Sequence, residues 1–192
     1  RRGWKVHICR KFETINVGQP IMSLIRTSSL GLLCFSSLLL HGAALFEEDT
    51  PWKYFKATQE ASSPVTAWRT IGFDDAAWLT GQAPFFYEDS TGYSGNTDLG
   101  GQSVPGGMRG NYTGIFLRKT FQIANPASVL DLTLNLRSDD GCIVWINGTE
   151  VRLVNMPASE VFFNDVSSPA AGEPNVDAYA IPNPASLLVA GT

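Results

Sequence analysis

Histidine is the residue whose scarcity says most. Both histidines, His7 and His41, precede residue 45, as do two of the three cysteines, Cys9 and Cys34. From residue 45 onward there is no imidazole and a single thiol, Cys142. A Ser-His-Asp or Cys-His catalytic site needs an imidazole base and a His-ligated zinc site needs an imidazole ligand, so neither can be assembled there. One thiol also excludes a disulfide within that stretch. Carboxylates remain as the only acid and base pair. Long apolar runs are missing as well: residues 30–40 fall short of a bilayer's thickness, and no later segment is long enough to be a span. Nor does any long amphipathic helical period occur after Thr50.

The first 44 residues differ from the rest. Met22 opens a stretch in which Arg26 supplies a positive charge, residues 30–40 an apolar run and Gly42-Ala43-Ala44 small residues suited to cleavage. This is the outline of a secretory signal peptide over residues 22–44. Residues 1–21 read as translated upstream sequence with Met22 as the start, a long basic leader being the alternative. The domain then occupies residues 45–192, in a protein secreted or held at the cell surface. Six of the 14 basic residues but only one of the 18 acidic ones lie before residue 45, which leaves 8 minus 17, a net charge of −9. Nucleic acid and anionic membrane both reward clustered Lys and Arg, so neither is an expected partner.

What is present is a succession of short apolar runs divided by Gly, Pro, Asn and Asp, the spacing of an all-β sandwich or barrel. "PWKYFKAT" predicts a first strand, and residues 115–123 and 129–137 predict two strong ones. Leu130, Leu132, Leu134 and Leu136 alternate with polar residues and form one apolar face. Asp74 and the residues after it suit a single helical turn flanked by Phe73 and Trp78. Residues 88–111 hold seven glycines without phosphate-binding spacing, and predict a solvated crossover, a ligand-lining loop over one end of the sandwich being the alternative.

The firmest local signal is "RSDDGCIVWINGTEV", residues 137–151. Asn147-Gly148 tolerates positive φ at both central positions of a type I′ turn, which fixes a hairpin. Counting outward pairs Ile146 with Thr149, Trp145 with Glu150, Val144 with Val151, Ile143 with Arg152 and Cys142 with Leu153. Cys142, Val144, Ile146, Val151 and Leu153 then share a core face, where an inert buried thiol is expected. Ile143, Trp145, Glu150 and Arg152 share the other. Trp145 with Glu150 opposite and Arg152 diagonal is a candidate glycan platform: an indole stacks on the apolar side of a sugar ring while polar neighbours take its hydroxyls. The competing expectation is that the first strand or the glycine-rich loop covers this face and Trp145 fills a second small core.

These segments resemble a known group. "WKYFKATQEASSP", "WRTIGFDDAAWLTGQAPF", "NYTGIFLRKTF", the "LRSDDGCIVWINGTEVRLVNMP" hairpin and "LLVAGT" are similar, in order and over roughly residues 50–192, to galactose-binding-like jelly-roll domains of large secreted bacterial proteins. Those domains are related to the sugar-binding domain of glycoside hydrolase family 2. The resemblance implies a non-catalytic β-sandwich module, used for carbohydrate binding or as a scaffold or spacer, with further domains downstream in the same polypeptide, one of which could be catalytic. "PFFY" at residues 84–87 departs from the group's pattern, which has a glycine between aromatics. The group also continues past "LLVAGT" into a further apolar strand, so the resemblance implies a fragment lacking its C-terminal strand. "SDDG" more weakly resembles protective-antigen-type lectin domains, which implies a calcium ion at Asp139 and Asp140; no other cofactor is implied. An Asp-Asp-Gly turn entering a strand is the alternative role for that pair.

Overall fold

The computed structural model describes residues 8–18, 43–47, 49–87, 95–100, 105–160, 162–168 and 175–191. The described residues are all-β: eleven strands, three single 3-10 turns and no longer helix. No helix among them is long and apolar enough to cross a membrane. The strands are β1 (Ile8–Gly18), β2 (Ala43–Glu47), β3 (Pro51–Lys56), β4 (Leu79–Gln82), β5 (Phe85–Phe86), β6 (Thr97–Asp98), β7 (Ile115–Arg118), β8 (Asp131–Asp139), β9 (Cys142–Ile146), β10 (Thr149–Val154) and β11 (Asn175–Ala180). One sheet runs β11-β8-β1-β2 and a second β4-β3-β7, both antiparallel; β9 and β10 form the hairpin, and β5 and β6 a short parallel pair. Residues 8–18, expected to precede the signal peptide, thus supply a strand between β8 and β2. Most of the expected signal peptide, residues 19–42, lies outside the described residues.

Between the sheets lies a mainly aliphatic core. Leu132, Leu134 and Leu136 of β8 are fully buried and meet Cys142, Val144 and Ile146 of β9, with Phe46 and Trp52 beside them. Burying side chains of this size stabilises the fold by about 1.5 to 3 kcal/mol each. Leu130 departs from the expected apolar face: it is 61% exposed while Val129 is 3% exposed. The 3-10 turn over Pro126–Ser128, where Asn125 Oδ1 accepts from the Ala127 N–H, ends just before, so strand alternation starts only at Asp131.

Two further expectations change. Asp74 does accept from a backbone N–H, that of Ala76 at 2.9 Å, and Phe73 packs edge-on against Trp78, but the segment is a turn without a helix. The described part of the glycine-rich stretch is no solvated crossover. Leu99 and Met108 are buried, the Met108 N–H donates to Leu99 O at 2.9 Å, and the Tyr112 hydroxyl donates to the same carbonyl at 3.2 Å. Gly107 explains the inward path, because a Cβ there would meet Gly100 O at 2.6 Å. Only glycine lets the two backbones approach so closely.

Candidate functional site

The hairpin turn forms as the sequence requires, with φ of 51° at Asn147 and 84° at Gly148. The Asn147 amide also donates to Leu187 O at 2.8 Å, pinning the turn to the residue that follows the 3-10 turn Pro184–Ser186. Thr149 pairs with Ile146 and Glu150 with Trp145, as counted from the turn. A β-bulge then shifts the register: Arg152 pairs with Val144, Leu153 with Ile143 and Val154 with Cys142. The extra residue in β10 re-aims the side chains beyond it, and the expected pairs of Val151, Arg152 and Leu153 do not form.

The bulge divides the expected glycan constellation. Trp145 and the exposed Glu150 remain opposite one another. Arg152 leaves them, laying its guanidinium 3.8 Å from the centre of the Tyr179 ring on β11. Trp145 is half-buried. Its ring meets Trp68 edge-on at 5.5 Å, and the Arg69 guanidinium lies 4.0 Å from its centroid. Arg69 is held in that place by a two-point ion pair with Glu160, at 2.8 and 3.0 Å. A guanidinium fork matched to a carboxylate in this way has little freedom to turn aside.

Among the described residues the cover over Trp145 comes from the 3-10 turn Ala67–Arg69. Arg118 of β7 fastens that turn: its Nη1 donates to Trp68 O and Thr70 O, and its Nε to Asp75 Oδ2 at 2.8 Å. Trp68 also packs against Phe116 and Trp78, so a second, aromatic cluster lies on the far side of the hairpin from the aliphatic core. Arg69, Glu160 and Tyr179 are the residues that sequence reasoning missed. Each acts across a long separation in the chain, and no local spacing marks them.

Asp139 ends β8. Asp140 is buried and engaged within the fold, and its carbonyl accepts from the Asn155 amide at 3.0 Å. Gly141 comes next because a Cβ there would meet Val154 O at 2.9 Å. The Asp-Asp-Gly stretch is therefore a tight return into β9 that the chain itself explains. Among the described residues no group of three or more His, Cys, Asp and Glu side chains could hold a metal ion. Several carboxylates are committed to other partners: Asp75 to Arg118, Glu160 to Arg69, Asp98 to the Gly100 N–H, Asp165 to the Phe162 N–H and Glu60 to the Phe163 N–H.

Three groups titrate away from their ordinary range, and burial raises one of them, Tyr54. Burial, and then the nearby Tyr54 and Asp98, pushes Tyr112 up to about 12. Burial lowers Lys119, whose ammonium donates to Pro51 O at 2.7 Å.

A cavity of about 230 Å³ opens between β7 and β9. Phe46, Trp52, Leu132 and Leu134 border it from the aliphatic core, and Trp68 and Trp145 from the aromatic cluster. Compared with family models, curated proteins and solved structures, the chain matches none.

Proposed function

We propose that the chain carries a non-catalytic, secreted β-sandwich module of the galactose-binding-like jelly-roll type, serving as a scaffold that joins or spaces domains of a larger protein. The observation that carries this reading is the Arg69 guanidinium 4.0 Å over the Trp145 ring, locked there by Glu160. A sugar platform needs an open indole face, and here a cation takes it. The non-catalytic part draws support from three carboxylates that are engaged in the fold, Asp75 by Arg118, Glu160 by Arg69 and Asp98 by the Gly100 N–H.

Carbohydrate binding is the second reading, favoured by the exposed Glu150 directly opposite the accessible part of Trp145. Affinity electrophoresis through gels containing neutral polysaccharides separates the two. The scaffold reading expects migration unchanged by any of them, and retardation that Trp145→Ala abolishes while the fold survives would replace it with a glycan module. Calcium at Asp139 and Asp140 belongs to the glycan reading. Titration calorimetry that releases no heat, with an unchanged Tm, would remove the metal from it.

A further inference from the structure

Rings and aliphatic side chains make most of the wall of the cavity between β7 and β9. Phe46, Leu132 and Leu134 border it from the aliphatic core, and Trp68, Trp145 and Phe163 from elsewhere. Three exposed large apolar side chains, Ile71, Phe162 and Val189, border it too, at 43, 54 and 46% exposure. A side chain that is both wet and part of the wall stands at the mouth, and an apolar mouth favours an apolar guest. An apolar cavity of about 150 Å³ takes a benzene ring. At about 230 Å³ this one holds, in proportion, about nine non-hydrogen atoms.

The charges at the wall already have partners. Arg69 is paired with Glu160 and Arg118 with Asp75, the Lys119 ammonium donates to Pro51 O, and Asp165 accepts from the Phe162 N–H. A charged guest would give up its water there without gaining a counter-ion. Thr70 and Asn147, also at the wall, donate to Ala67 O and Leu187 O. Backbone supplies a further polar contact. Among the described residues β7 pairs with β3 alone and β9 with β10 alone, and residues 115–118 and 142–146 border the cavity without a break. A strand face shows only every second residue, so an unbroken run marks an edge. One carbonyl can accept from an outward N–H of such an edge, whereas a ring of hydroxyls would leave most of its groups unmatched.

We propose that this cavity is a binding site for a compact neutral molecule, an aromatic ring carrying a single carbonyl group. The aromatic wall matches such a ring through edge-on and offset contacts. The proposal does not rest on the scaffold reading, since a guest of this size leaves the spacing of domains untouched.

Three probes of about nine non-hydrogen atoms each test it on the 192-residue chain. They are acetophenone, α-methylstyrene, in which a methylene replaces the carbonyl oxygen, and benzoate, which adds a charge. Tryptophan fluorescence reads the titrations, because Trp52, Trp68 and Trp145 border the cavity. Acetophenone should bind saturably, about threefold or more tighter than α-methylstyrene and about tenfold or more tighter than benzoate. Cys142 gives an independent readout, for it is buried and borders the same space. Saturating acetophenone should slow its modification by methyl methanethiosulfonate about tenfold or more, followed by mass spectrometry of the peptide that holds it. Val144→Phe, which adds bulk at the wall, should weaken acetophenone by a similar factor; if that variant does not fold, the Cys142 readout on the unsubstituted chain decides. Absence of saturable binding together with unprotected Cys142 overturns the proposal. Equal binding of α-methylstyrene overturns the carbonyl, and equal or tighter binding of benzoate overturns the neutral class.

Discussion

Alternate residues of a single strand, β9, enter two differently built regions. Cys142, Val144 and Ile146 face an aliphatic core where Leu132, Leu134 and Leu136 are almost wholly excluded from water. Trp145, on the other side, enters an aromatic cluster capped by a cation, Arg69, whose side chain is only 8% exposed and is held by a half-exposed carboxylate. The first region is non-directional and is stabilised by area removed from water and by close packing. In the second, direction matters: edge-on rings, a guanidinium over an indole face and a two-point ion pair each demand an orientation. Strength and openness to solvent therefore separate along one strand, residue by residue.

Substitutions can sharpen or break that contrast. Leu134→Ala should cost most, about 2 to 5 kcal/mol in urea unfolding, because it empties a position that is 1% exposed. Trp145→Ala should cost less, about 2 to 3 kcal/mol, since the indole is half-buried and loses contacts to Trp68 and Arg69. A loss as large as that of Leu134→Ala would make the two faces equivalent cores. A loss under about 0.5 kcal/mol would make the indole a surface platform and break the comparison from the other side.

Tyr112→Phe should cost about 1 kcal/mol at neutral pH by removing the hydroxyl's bond to Leu99 O. It should also act on pH dependence. Tyr112 ionises near 10.0 when unfolded and only near 12 when folded, so the unfolded chain loses its proton first. The stability from keeping it protonated is complete below pH 10 and is lost as the pH rises toward 12. Phenylalanine should flatten that alkaline decline, which denaturant titrations across the interval would measure. Glu160→Gln should have the smallest effect, about 1 kcal/mol, because the carboxylate is 46% exposed and glutamine can still accept from Arg69, whose side chain is 8% exposed. Its sharper readout is the difference in tryptophan fluorescence from the unsubstituted chain, which should change as Arg69 gains freedom over the Trp145 ring.

Much of the hairpin was legible. Asn147-Gly148 specified the turn through its positive φ values, and period-two alternation identified the leucines that enter the core. The first two cross-strand pairs followed from counting. Counting then failed at the bulge, because an extra residue in one strand leaves no mark in the alternation of the other. Leu130 was misplaced for a related reason: the pattern reached one residue beyond the strand, and the 3-10 turn before it set the true phase. The candidate platform was half legible. Trp145 opposite Glu150 is as expected, but the removal of Arg152 to Tyr179 is a result of the bulge.

By itself the sequence determined the all-β class, the turn, the choice of aliphatic side chains for one face and the absence of imidazole chemistry after residue 44. These are matters of composition and of neighbours within a few residues, where backbone geometry and hydrophobic period act directly. Only the tertiary structure decided that Arg69 caps Trp145, that glycines near Leu99 turn inward, and that the edges of β7 and β9 face one another across a cavity. Each of those depends on residues far apart in the chain meeting at a fixed distance and angle. Nothing local encodes such a meeting; it exists only once the sheets have packed.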